Sequence, residues 1–307
     1  MILLVGATGR LGRAVALRLL HEGIPFRAAC RNVTKAQWLA ERGIDVLRMD
    51  VESGAGAKEA MSGASKVISC IHGLMGRSRH SIERIDVRGQ AALIDGAAEV
   101  GVKRFVYISA LGASPDHPSV FWKAKARTEQ HLKASGLDYV ILRPSAFMDL
   151  YAHDLIGAAV MRGKTVFVLG KGTTPRNMIA VADVADASIK ALLQDDLVGQ
   201  TIPVGGWDNP TEREIAALYA SLSGKPLKLR AVPPFVLATL AAALAPFHAG
   251  VGHLLRLPVQ LAGREDLLLD ASSSVERLCL SPVRLRAYVE ERLGSGPDHG
   301  MPDLLGI

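Results

Sequence analysis

Cysteine is scarce in this chain: Cys30, Cys70 and Cys279 are scattered over 307 positions with no C-x-x-C pair. Neither a disulfide framework nor a zinc site has its raw material, and a reducing, cytoplasmic compartment is expected. Aromatic residues are few, at 5%, while glycine reaches 30 residues, which suits an Ala/Gly/Val-rich α/β protein better than an all-β sandwich. No apolar run reaches the roughly 18 residues of a membrane span. The longest, FVLATLAAALA from Phe235 to Ala245, is bounded by Pro233, Pro234 and Pro246. It is expected as a packed helix, with peripheral contact at a membrane surface as the alternative. The opening MILLVGATGR is too short an apolar run for a secretory h-region and breaks at once into a glycine turn. Acidic residues number 30 against 36 basic, a net charge of +6, but the basic residues are dispersed. Their one local cluster, GRSRH at 76–80, has no interleaved aromatics, so nucleic acid is not indicated.

Several chemical signatures are missing too. GAS at 63–65 and 112–114 lacks the second glycine of a nucleophile elbow, and GKGT at 170–173 lacks the earlier glycine of a phosphate loop and reads as a turn. His248 and His253 have the wrong spacing for a zincin, and no metal is expected.

What is present is alternation. ILLVG (2–6), PFRAAC (25–30), IDVLRMD (44–50), KVISCI (66–71), KRFVYIS (103–109) and YVILRP (139–144) are short runs of buried-strand type. Helical patterns lie between several of them, the clearest at 82–100 with Ile82, Ile85, Ala92 and Ile94 inward. Parallel strands require such crossovers, so the expected fold is α/β, a doubly wound parallel sheet of Rossmann type with a smaller C-terminal lobe. Residues 1–150 and 178–206 form the dinucleotide-binding domain in this reading, and 151–177 and 207–307 form the lobe. Within the later part, 181–195 reads as a helix and 200–206 as a strand. A capping box joins Thr211 to Glu214, a final helix starts at Ser281-Pro282, and the tail SGPDHGMPDLLGI is expected to be mobile.

The richest segment is LLVGATGRLGRAV. Gly6, Gly9 and Gly12 follow a strand and open a helix. In that context the first glycine permits the tight turn, the second lets backbone approach a pyrophosphate, and the third lets helix and strand pack closely. The helix N-terminus adds N–H donors and a positive dipole end. Thr8, Arg10 and Leu11 belong to the same loop.

The spacing G-x-x-G-x-x-G resembles the extended and atypical branches of the short-chain dehydrogenase/reductase superfamily. In that superfamily an acidic residue ending the second strand selects NAD. This chain has Arg31 there, with Arg10 in the loop and Lys35 nearby, and paired guanidinium groups suit a phosphate dianion. NADP(H) is therefore favoured over NAD(H), although a solvated surface arginine fits position 31 as well. The resemblance further implies cofactor contacts at Asp50 and Val51 after the third strand, at Cys70 and Ile71 after the fourth, and at Ser109 after the fifth. Pro144, Ala146 and Phe147, just past the sixth, fall where backbone groups meet the carboxamide.

The superfamily also carries Tyr-x-x-x-Lys on the helix after the fifth strand, with a serine before it. Matching KAKARTEQHLKASGLDYVILRP to that pattern places the lysine at Lys125, a tentative catalytic residue. Phe121 then occupies the tyrosine position and Ala110 the serine position. Both hydroxyls are missing. This combination, with SGLDYVILRPSAFMD and MIAVADVADA, resembles the NmrA-like and NDUFA9-like members, which include redox sensors, complex-bound or assembly proteins and true reductases. Two roles follow from the resemblance: a cofactor-binding protein whose lobe meets a protein partner, or an NADPH-dependent reductase of a small carbonyl, ene or quinone substrate. The second would need another proton donor, such as Lys125, water or His72.

Overall fold

The computed structural model describes residues 1–78, 80–261 and 268–294. The tail from Ser295 and Arg79 of the basic cluster lie outside the described residues. Eleven strands run in chain order: β1 (Ile2–Val5), β2 (Phe26–Cys30), β3 (Val46–Arg48), β4 (Lys66–Ser69), β5 (Arg104–Ile108), β6 (Asp138–Pro144), β7 (Ala146–Phe147), β8 (Val166–Leu169), β9 (Met178–Ile179), β10 (Gln200–Val204) and β11 (Leu229–Val232). Seven of them make one sheet in the order β3-β2-β1-β4-β5-β6-β10. Every pairing in it is parallel.

Both faces of the sheet are covered, which explains why β1 and β5 are buried at every position. Alternation by two sorts the side chains. Ile2 and Leu4 join a layer with Val15 and Leu19 of the helix Arg10–His21 and Val184 and Leu192 of the helix Val181–Leu193. Leu3 and Val5 face the opposite layer with Leu93, Ile94 and Leu132. Each such side chain contributes about 1.5–3 kcal/mol by leaving water. Strand order reverses between β1 and β4, and that reversal opens a crevice beyond the carboxyl ends of the strands.

A third cluster lies past β6. It gathers Met148, Ile156, Val166, Val168, Met178, Tyr219, Tyr288 and Val289. Two small parallel pairs, β7 with β9 and β8 with β11, border it. The capping box forms as expected: the Thr211 hydroxyl accepts from the Glu214 amide while the Glu214 carboxylate accepts from the Thr211 amide.

Three expectations need correction. Ala92 faces solvent, whereas Leu93, Ile94 and Ala97 are inward. A wide π turn over Glu83–Gly89 precedes the regular helix Gln90–Glu99 and rotates its apolar face relative to an unbroken helix. The final helix spans Leu285–Gly294 and does not begin at Ser281-Pro282. There the Val283 amide donates to Asp183 (3.1 Å) and the Leu285 amide to Asp208 (2.8 Å), which holds the approach extended and starts the helix later. The apolar stretch near 235 is a helix, Pro234–Leu244, packed along the helix Ala249–Leu261 as expected, but it is not a buried one: only its Ala241 is buried and Phe235 is 70% exposed. No helix among the described residues is long and apolar enough to cross a membrane.

A Cβ on Gly12 would lie 2.1 Å from the Gly6 carbonyl oxygen, and backbone cannot yield to it. Gly12→Ala is expected to cost about 3 kcal/mol or more. Urea unfolding should show an earlier midpoint with an unchanged slope.

Candidate functional site

Gly6 adopts φ +90° and a Cβ there would lie 2.8 Å from Ile71, so the turn after β1 and the end of β4 are fitted to a bare glycine. The Gly9 amide closes the turn on the Gly6 carbonyl at 3.0 Å. Space beyond Gly9 is open, its nearest neighbour to an added Cβ being Gly6 O at 3.5 Å. The helix Arg10–His21 then starts with no side-chain cap and no acidic residue in its first turn. Its first-turn amides and dipole are thus offered to an outside anion.

This loop forms one side of a cleft of about 160 Å³. Gly6, Thr8, Gly9 and Arg31 meet there with Asp50, Val51, Cys70 and Ile71. Arg31 is exposed and pairs with no carboxylate among the described residues. Asp50 accepts the Glu52 amide at 3.0 Å, which fixes its carboxylate at the edge of β3. Burial pushes the Cys70 thiol up to about 12, so it remains protonated. An uncapped helix end and an open glycine fit the diphosphate of a nicotinamide dinucleotide.

Other expected contacts lie elsewhere. Arg10 does not line the cleft beside Arg31; its Nη2 pairs with Asp154 at 2.6 Å. Leu11 is buried in the core under the sheet, which leaves only its backbone for a ligand. The Ser109 hydroxyl is held 2.5 Å from Glu129, itself clamped by both arms of Arg143 at 2.8 and 2.5 Å. Pro144 accepts the Leu111 amide, and Ala146 donates to Asn177. Phe147 packs against the sheet core, and none of Ser109, Pro144, Ala146 and Phe147 reaches the cleft.

At its other end the cleft meets Phe121 through His72. Phe121 and Trp122 meet edge to face at 5.2 Å, and His72, which lines the cleft, meets Phe121 edge to face at 6.1 Å. Ala110 packs against the same cluster. No hydroxyl stands at either position. His72 keeps an accessible edge but is crowded by protein atoms, and this desolvation, opposed by Asp86 and reinforced by Lys125, lowers its pKa and keeps the ring neutral.

Lys125 is 3% exposed. Its Nζ donates to the Ile108 carbonyl at 3.1 Å and pairs with Asp86 at 3.3 Å. Burial opposes the ammonium, but Tyr107 and Asp86 together outweigh it and the net direction is upward. Lys125 therefore keeps its proton and does not line the cleft. Tyr107 is fully buried with its phenol pushed up to about 12 by desolvation, and it offers no substitute acid.

Asp86 is the residue that sequence reasoning missed. Its other oxygen accepts the Gly73 amide at 2.6 Å, and its own carbonyl accepts the Thr128 hydroxyl. The available signal was an acid directly after Ile85 on a helix face read as inward. Neutralising Asp86 would leave a buried ammonium unpaired, at about 3–5 kcal/mol. Asp86→Asn should lower the melting temperature sharply, and the double variant Asp86→Asn/Lys125→Met should recover most of the loss.

Comparison with known proteins agrees with this geometry. An NAD(P)H-binding family model matches residues 6–195. The NAD(P)H azoreductase of Xenophilus azovorans is 30% identical over 233 residues, 76% of this chain and 77% of that protein. The photosystem II assembly factor Ycf39 of Guillardia theta is 27% identical over 301 residues, 95% of this chain and 94% of that protein. The crystal structure of the NADPH-dependent quinone oxidoreductase QOR2 of Escherichia coli with NADPH superposes with a TM-score of 0.77 at 25% identity, covering 95% of this chain and all of that one. The chain belongs to the NAD(P)H-binding, atypical short-chain dehydrogenase/reductase family.

Proposed function

We propose that this protein binds NADP(H) in preference to NAD(H) and acts as a redox-sensing or complex-associated cofactor-binding protein, not as a reductase of simple carbonyls. The observation that carries this reading is the hydrocarbon at positions 121 and 110 beside a lysine locked to Asp86. Reducing an isolated carbonyl concentrates negative charge on one oxygen, which needs a proton or a strong donor as the hydride arrives. Neither Phe121 nor Ala110 can provide one. Similarity to Ycf39 over almost the whole chain supports a role in the company of other proteins.

Arg10 gives such a role a physical route. Its guanidinium belongs to the glycine loop by sequence and to Asp154 by ion pairing. A diphosphate at the loop would draw on the same cation and alter the hold on the helical segment Asp149–Gly157, which packs in the third hydrophobic cluster.

A second reading is favoured by the aromatic cluster of His72, Phe121 and Trp122 at the end of the cleft together with the azoreductase and quinone oxidoreductase likenesses. A bound NADPH would supply the hydride. A quinone or azo acceptor spreads the incoming charge over a conjugated system, so water can deliver the proton afterwards. The chain's own residues would then only orient a flat acceptor and exclude solvent from it.

Fluorescence titration tests the cofactor preference. Arg31→Ala should weaken NADPH binding about 10- to 100-fold, the scale of lost hydrogen bonds to a charged phosphate, and change NADH binding less than about 3-fold. Equal weakening of both coenzymes would remove the 2′-phosphate role of Arg31. Wild-type protein mixed with NADPH should leave aldehydes and ketones untouched. Oxidation with a quinone or azo dye selects the second reading, and steady carbonyl turnover that disappears in Lys125→Met would overturn both.

A further inference from the structure

Arg176 is 7% exposed, yet its guanidinium forms no ion pair with any described residue. It lies with its Cζ 5.2 Å above the ring of Tyr151 and borders a cavity of about 230 Å³. The rest of the lining is mostly hydrocarbon, with Leu155, Val168, Met178, Leu237 and Leu254 among it. Glu212 also borders the cavity, but its carboxylate accepts the Leu169 amide at 2.8 Å and does not pair with the arginine. A charge taken out of water without a counter-ion is costly unless something else completes it. A ring face below the guanidinium offsets part of that cost and leaves its N–H edges for an acceptor.

We infer that this cavity is a binding site for an amphiphile, with a carboxylate or phosphate head on Arg176 and a short aliphatic or ring body against the leucines. A volume of this size holds roughly eight water-sized groups, which matches a chain of about eight carbons. The site is separate from the cleft at the glycine loop, with which it shares no lining residue. It adjoins the hydrophobic cluster that contains Phe121, because Leu254 lines the cavity and packs against that cluster.

Calorimetry without any coenzyme tests this, so its outcome is independent of the coenzyme reading. The probes are octanoate, octyl phosphate and 1-octanol. At least one anionic probe should bind about 10-fold or more tighter than the alcohol, as expected for hydrogen bonds to a charged group. Arg176→Met should abolish that preference. It should also leave the melting temperature unchanged or raised, because the substitution deletes an unpaired buried charge and keeps the volume. Leu254→Asp should weaken all three probes. The inference is overturned if neither anion binds, if the anions bind no better than 1-octanol, if Arg176→Met keeps the preference, or if that variant unfolds several degrees earlier.

Discussion

One buried ion pair holds the exits of β4 and β5 in their observed shape. Asp86 reaches the Gly73 amide with one oxygen and the Lys125 ammonium with the other, and Lys125 in turn holds the Ile108 carbonyl at the end of β5. The exit of β4, the wide turn at Glu83–Gly89, the end of β5 and the helix Val120–Ala134 are joined through two side chains. In a low-dielectric interior neither charge is tolerable alone, so the four segments are fixed relative to one another. Lys125 is in this arrangement a structural post.

The sheet was legible because its signals are local and repeated. Seven short apolar runs with helical intervals leave little besides a parallel sheet, and glycines at 6, 9 and 12 specify the turn between the first strand and helix. The π turn was not legible, since a single inserted hydrogen-bond step leaves no mark in hydrophobic periodicity, and Ala92 was misplaced for that reason. Ser281-Pro282 looked like a helix start because proline favours first positions. Asp183 and Asp208, distant in sequence, take the relevant amides instead.

Within the site the division is similar. Arg31, Asp50, Cys70 and Ile71 follow directly from strand ends, and they do meet in one cleft. Arg10 follows the same logic but is taken by Asp154, a residue 144 positions away that no motif points to. Ser109 sits at a strand end and yet donates to Glu129, which Arg143 clamps. Both side chains are held by partners distant in sequence, and only tertiary structure reveals such partners.

One helical segment, Asp149–Gly157, touches the glycine loop through Asp154 and lines the lobe cavity at Arg176 through Tyr151 and Leu155. Any anion that draws Arg10 away from Asp154 would therefore loosen the same segment that carries Tyr151 beneath Arg176.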